Sequence, residues 1–285
     1  MPEREIADRM ATIRHVFEDA RLKANEQPDN DLLIPYLENF DSLFRSVAYE
    51  GASMSRALNN LAQGKELNHW FAYLEKVPQH STQAYIGLGW AIAQRQVPVS
   101  DVLFIFDPIF RSRIIDGYGY YEGMFRQRYS VRDKIIPDDI KGDDLRAYDQ
   151  GLGRSLWYTA KGSMMQLAEL INDFPGIRKS DLWRGAAIAV AYIGAFDKNM
   201  LDSITRCASD YQIQLAIGAA LLARSRWQAG TLNTDTGMIC RHCCHLSAQE
   251  AAQMVYQVEC DMAAGKRYID LITILERTLL KTNAG

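Results

Sequence analysis

The chain has 285 residues, 48% of them apolar and 24% charged, and its 32 basic and 35 acidic side chains leave a net charge of -3. That is enough chain and enough apolar surface for a substantial core, which excludes a largely disordered protein. The near-balance of charge excludes a broad positive field, so no nucleic-acid partner is expected.

The first residues, MPEREIADRM, are charged throughout and lack the apolar centre of a secretory signal. A first helix is expected over residues 3–24, where Ile6, Met10, Ile13, Val16 and Phe17 share one face. An apolar stripe at helical spacing continues over residues 31–61, with Pro35 near its start. Residues 129–149, YSVRDKIIPDDIKGDDLRAYD, carry Pro137, Gly142 and a run of aspartates and read as a surface connection between two halves, about 30–130 and 145–230. Helical periodicity returns over 201–226, a polar loop is expected at 230–237, and helices again over 247–281. The longest apolar stretches, 185–196 and 213–223, fall short of the roughly 20 residues needed to span a bilayer. No series of alternating strand-like segments competes. The expectation is a single all-α domain, without membrane span, in the cytoplasm. All five cysteines lie at Cys207 or beyond, an odd number that fits reduced thiols better than a disulfide framework.

Tyr-x-Gly recurs at Tyr49, Tyr85 and Tyr121, twice as Tyr-Glu-Gly. Extended through Gly151, Gly185 and Gly218, the glycines that follow are spaced 36, 36, 28, 34 and 33 residues apart. Each opens a stretch of small residues, as in IGLGWAIA and RGAAIAVAYIGA. Glycine is costly inside a helix, so its recurrence implies backbones in close approach. A period of about 33–36 residues predicts tandem helical hairpins forming a solenoid-like or ring-like domain.

The strings AYEGASM, YIGLGWAIA, DGYGYYEGMF, DQGLGRSLW, SDLWRGAAIAVAYIGAFD, LAIGAALLARSR and LSAQEAA, in that order, resemble the UnbL-like domain of unknown function (domain of unknown function 1702) associated with enediyne biosynthesis. The resemblance runs from about residue 44 to 254. It implies a place in natural-product biosynthesis beside iterative polyketide synthases that make polyene precursors. It implies no catalytic residue set. The crowding of CRHCCH with thiols and imidazoles departs from what the family leads one to expect.

The densest chemistry lies in Asp116-Gly-Tyr-Gly-Tyr-Tyr-Glu122-Gly. Carboxyls beside phenols in an apolar pocket can have raised pKa values and transfer protons. The structural alternative is that Asp116 caps a helix and the tyrosines pack in a core. Glu50, Glu122, Gln150 and Arg184 share the position just before a repeat glycine, and in a curled array they would converge on one cavity or form a buried network between helices. Asp149, Arg154 and Asp181 join them. Glu50, Asp116, Tyr120, Glu122, Asp149 and Arg154 are therefore the candidate catalytic set. Glu66-x-x-His69 and Cys240-x-x-Cys243 are each a single half of a metal motif, so no metal and no cofactor are expected. No phosphate-cradling loop or nucleophile elbow occurs. Two functions remain open: a cofactor-independent acid–base enzyme acting on a hydrophobic polyketide or polyene intermediate, or a non-catalytic helical scaffold for a polyketide synthase or another pathway protein. Self-association is compatible with either.

Overall fold

The computed structural model describes residues 2–64, 66–262 and 265–282. These form fifteen α-helices with no strand among the described residues, so the chain is all-α. The long helices are α1 (Pro2–Glu26), α3 (Arg45–Gln63), α5 (Ser81–Arg95), α7 (Pro108–Phe125), α8 (Asp143–Thr159), α10 (Gly176–Ile193) and α12 (Gln212–Gln228). Shorter helices connect most of them: α2 (Asn30–Glu38), α4 (Asn68–Lys76), α6 (Ser100–Leu103), α9 (Met164–Asn172) and α11 (Lys198–Ala208). The chain ends with α13 (Thr234–Cys244), α14 (Ala248–Asp261) and α15 (Tyr268–Thr282).

Each of the three long periodic stretches is broken in the structure. The stripe over 31–61 divides because the Asp41 carboxylate takes the Leu43 N–H, turning the chain between α2 and α3. The stripe over 201–226 divides at Ser209, whose φ of 46° stops α11 before a short 3₁₀ turn leads into α12. The last divides between α14 and α15. The expected surface connection is a π-helical turn at Arg128–Arg132 followed by loop, and its final residues already belong to α8.

The long helices pack in chain order, α1 on α3, α3 on α5, α5 on α7, α7 on α8, α8 on α10 and α10 on α12. Partners climb together along neighbouring helices. Arg111 meets Asp144, Asp116 meets Gln150 and Gln127 meets Thr159, so α7 and α8 run parallel. Here the π-helical turn and the loop after it return the chain to the starting end.

The glycines explain how closely the row is packed. A Cβ on Gly151 would lie 1.8 Å from the Asp116 carbonyl oxygen, and one on Gly185 would lie 1.8 Å from that of Gln150. The same relation joins Gly87 to the Glu50 carbonyl, Gly117 to that of Ile86 and Gly218 to that of Arg184. The register is therefore 51, 87, 117, 151, 185 and 218. Gly117, not Gly123, is the third member, because Gly123 faces the Ser155 side chain rather than a neighbouring backbone. A second small residue two positions on meets the next helix: Gly89, Gly119 and Gly153 face the carbonyls of Ile114, Tyr148 and Leu182. Each Gly-x-Gly thus accommodates one neighbour on either side.

The row curls back on itself. Arg9 on α1 donates to the Ile193 carbonyl at the end of α10 at 2.8 Å. At the end of α12, Ser225 accepts from Gln83 at 2.8 Å and Gln228 donates to the Pro78 carbonyl at 2.7 Å. The buried Arg226 guanidinium donates to the carbonyls of Leu43, Tyr192 and Thr231 at 3.2–3.3 Å, joining α12 to the start of α3 and the end of α10. The Tyr268 hydroxyl on α15 reaches Gln150 on α8.

Candidate functional site

Between the curled helices lies a cavity of about 810 Å³, within the range of small-molecule sites. The corrected glycine register shows which side chains reach it. Of the six residues just before the register glycines, Glu50, Ile86, Asp116 and Gln150 line it, whereas Arg184 and Ile217 do not. One turn further along, Trp90, Tyr120 and Arg154 follow Ile86, Asp116 and Gln150, and Ile188 follows Arg184 on α10, because residues four apart share a helix face. Apolar walls come from Ile13, Phe17, Leu222 and Leu271. Arg14, Phe125, Gln127 and Lys161 also line the cavity but are exposed, which puts its mouth beside α1 and the ends of α7 and α8.

Asp116 is the hub of the polar wall. It accepts from Arg154 Nη1 at 2.7 Å and from Gln150 Nε2 at 2.5 Å. The Gln150 carbonyl oxygen accepts from Arg184 Nε at 2.7 Å and from the Tyr268 hydroxyl. Those donors fix the orientation of the amide, whose NH₂ can then only face Asp116. Arg184 is fully buried and also bonds Gln214 and Asp181, and Asp181 is shared with Arg146. The Arg154 guanidinium lies over the Tyr120 ring, 4.8 Å from its centroid.

Glu50 differs from Asp116 in having no arginine of its own. Burial raises its pKa from 4.5 to about 7, opposed by the Arg154 charge and reinforced by Asp116. The Trp90 N–H favours the ionised form slightly, although it lies beside the carboxyl without closing a hydrogen bond of normal geometry. Burial works against the Arg154 charge, yet Asp116 and Glu50 together hold the Arg154 pKa up. One permanent cation therefore serves two carboxyls. Glu50, raised by burial to about 7, is the carboxyl placed to act as a proton donor near pH 7. The phenols around it stay protonated: burial pushes Tyr158 and Tyr268 up to about 12 and raises Tyr120 well above its ordinary value.

Four of the six candidate residues, Glu50, Asp116, Tyr120 and Arg154, meet in this cavity. Asp116 sits in the middle of α7, so it caps no helix there. Glu122 and Asp149 do not line the cavity. Glu122 is fully buried, accepts from Arg126 at 3.0 Å and has its backbone carbonyl bonded by Ser130. Six residues beyond Asp116 on a helix, it points to a different face. Asp149 is held by Arg178 in a buried two-pronged pair at 2.5–3.0 Å, an arrangement that ties α8 to α10. The Cys240 and Cys244 thiols turn to the carbonyls of Ala219 and Ala216, and no group of three or more His, Cys, Asp or Glu among the described residues is arranged to hold a metal ion.

Residues 2–269 match a family described as "Protein of unknown function (DUF1702)". The chain belongs to that family. No curated protein and no solved structure matches it. In this DUF1702 chain the cavity-lining residues outside the candidate set include Trp90, Tyr158, Tyr192 and Tyr268. Trp90 and Tyr158 carry a readable signal, since they lie four and eight residues after register positions 86 and 150. Tyr268 carries none, because α15 has no glycine in the register. No described helix is long and apolar enough to cross a membrane.

Proposed function

We propose that this chain is a cytoplasmic natural-product biosynthesis protein that holds a hydrophobic polyketide- or polyene-derived intermediate in the helix-lined cavity and moves a proton on it. The observation that carries the reading is Glu50, a carboxyl raised to about 7 inside an apolar-walled cavity, beside an Asp116–Arg154 pair. The protonated Glu50 gives its proton to a carbon or carbonyl oxygen of the conjugated chain. The cationic intermediate is faced by the rings of Trp90, Tyr120 and Tyr158. The Glu50 carboxylate then takes a proton from a neighbouring carbon, so the net change is an isomerisation that needs no redox partner. Arg154 and Asp116 hold the field around Glu50 fixed while its charge changes. The pathway part of the reading, enediyne-type polyene metabolism, rests on the sequence resemblance.

A second reading, a scaffold for a polyketide synthase, is favoured by a different observation: Phe104 and Ile105 stand 77% and 50% exposed after α6. Incubating the protein with the polyene released by the synthase, followed by mass spectrometry, separates the two. Conversion of the polyene supports the enzyme. Unchanged polyene, with protein and synthase eluting together, supports the scaffold.

A further inference from the structure

The cavity contains polar atoms that the Glu50 chemistry does not use. Ser46 is 2% exposed and Gln83 is 8% exposed, both line the cavity, and neither Ser46 Oγ nor Gln83 Oε1 has a hydrogen-bond partner. The other end of the Gln83 amide is held, since Nε2 donates to Ser225 Oγ at 2.8 Å. Rotating the amide does not remove the deficit. Ser225 can donate as well as accept, but one end of the amide is then still left over. Ser46 lies one turn before Glu50 on α3, and Gln83 lies three residues before Ile86 on α5. The two therefore lie about one helical turn, or roughly 5 Å, towards the helix starts from Glu50. Neither bears a charge.

A purely hydrocarbon ligand filling this end would displace water from Ser46 and Gln83 and return nothing. A buried polar group left unpaired is unfavourable. Building on the cavity reading above, we propose that Ser46 and Gln83 form a second, neutral subsite that takes a hydroxyl group of the ligand. The substrate is then an oxygenated chain rather than a bare polyene. Its hydroxyl donates to Gln83 Oε1 and exchanges a hydrogen bond with Ser46, which seats the reacting carbon at Glu50 about one helical turn away. A hydroxyl, being donor and acceptor, satisfies the amide in either orientation. The two free atoms at this subsite belong to uncharged side chains, which disfavours a carboxylate or phosphate there, and Arg113 and Arg224, which also line the cavity, are paired with Glu259.

The test uses two probes with the same linear conjugated tetraene chain, one the hydrocarbon and one its primary alcohol. Their dissociation constants are measured from tetraene fluorescence with the full chain. An apolar cavity without the subsite favours the hydrocarbon, because water solvates the alcohol better. The subsite predicts the reverse, with the alcohol bound at least about tenfold more tightly, the equivalent of one retained hydrogen bond. Gln83→Leu reverses that preference, whereas Ser225→Ala, which breaks the same link between α5 and α12 but leaves Gln83 in place, preserves it. Tighter binding of the hydrocarbon by the unaltered protein, or a preference that survives Gln83→Leu, overturns the subsite alone. Binding of neither probe overturns the cavity reading and the subsite with it.

Discussion

Replacing Glu50 with glutamine keeps the shape of the side chain and removes its ability to ionise. Burial raises the Glu50 pKa from 4.5 to about 7 in the folded protein. Between those values the folded chain holds a proton that the unfolded chain has released, so stability falls as pH rises through that window and is level above it. A displacement of about 2.5 units corresponds to about 3 kcal/mol, at 1.36 kcal/mol per unit. Glu50→Gln therefore has almost no effect at pH 4, where both forms are neutral, and stabilises the protein by about 3 kcal/mol at pH 8. Urea unfolding at the two pH values, followed by circular dichroism, reads the difference directly. A variant that is less stable at pH 8, or one whose change is the same at both pH values, refutes the claim that Glu50 is buried without a cation of its own.

Other substitutions test the frame around the cavity. Gly185→Ala puts a methyl group 1.8 Å from the Gln150 carbonyl and forces α8 and α10 apart, with an expected loss of about 3 kcal/mol or more, whereas Gly176→Ala, facing open space, costs nothing or adds up to about 1 kcal/mol. Thermal unfolding distinguishes them, and equal effects would contradict the close-approach account. Arg226→Met leaves the Leu43, Tyr192 and Thr231 carbonyls without their shared donor. It should cost about 2 kcal/mol and speed hydrogen exchange at the start of α3. Asp149→Asn strands the buried Arg178 charge and should cost about 3–5 kcal/mol while leaving tetraene binding by the folded fraction unchanged.

The all-α class was legible because apolar side chains recur at three and four residues over most of the chain and nothing alternates. The breaks were not, because each depends on a single local event such as the Asp41 side chain taking a backbone N–H. The glycine spacing carried real information about packing, but the matching Tyr-Glu-Gly triplets drew the register to Gly123. Helix α7 has three glycines, and only backbone proximity separates Gly117 and Gly119, which meet neighbouring helices, from Gly123, which meets a side chain. That six-residue displacement is why Asp116 takes the place beside Glu50 and Glu122 does not. Asp149 adjoins Gln150 in sequence, yet Gln150 faces the cavity while Asp149 turns to Arg178. Consecutive residues on a helix are about 100° apart, so adjacency in sequence says little about a shared site. The α15 contribution could not be read at all, since Tyr268 meets Gln150 across 118 positions with no repeat to register it.

Proton transfer from Glu50 to a bound conjugated chain leaves a solvent-derived hydrogen on carbon. It is tested most directly by turning over the synthase-derived polyene in D₂O and counting deuterium in the product by mass spectrometry. The account predicts solvent deuterium in the isomerised product, a rate that falls as pH rises past about 7 with loss of the acid form, loss of uptake in Glu50→Gln and retention of uptake in Glu122→Gln. A polyene recovered without deuterium from the unaltered protein, or uptake undiminished in Glu50→Gln, contradicts it.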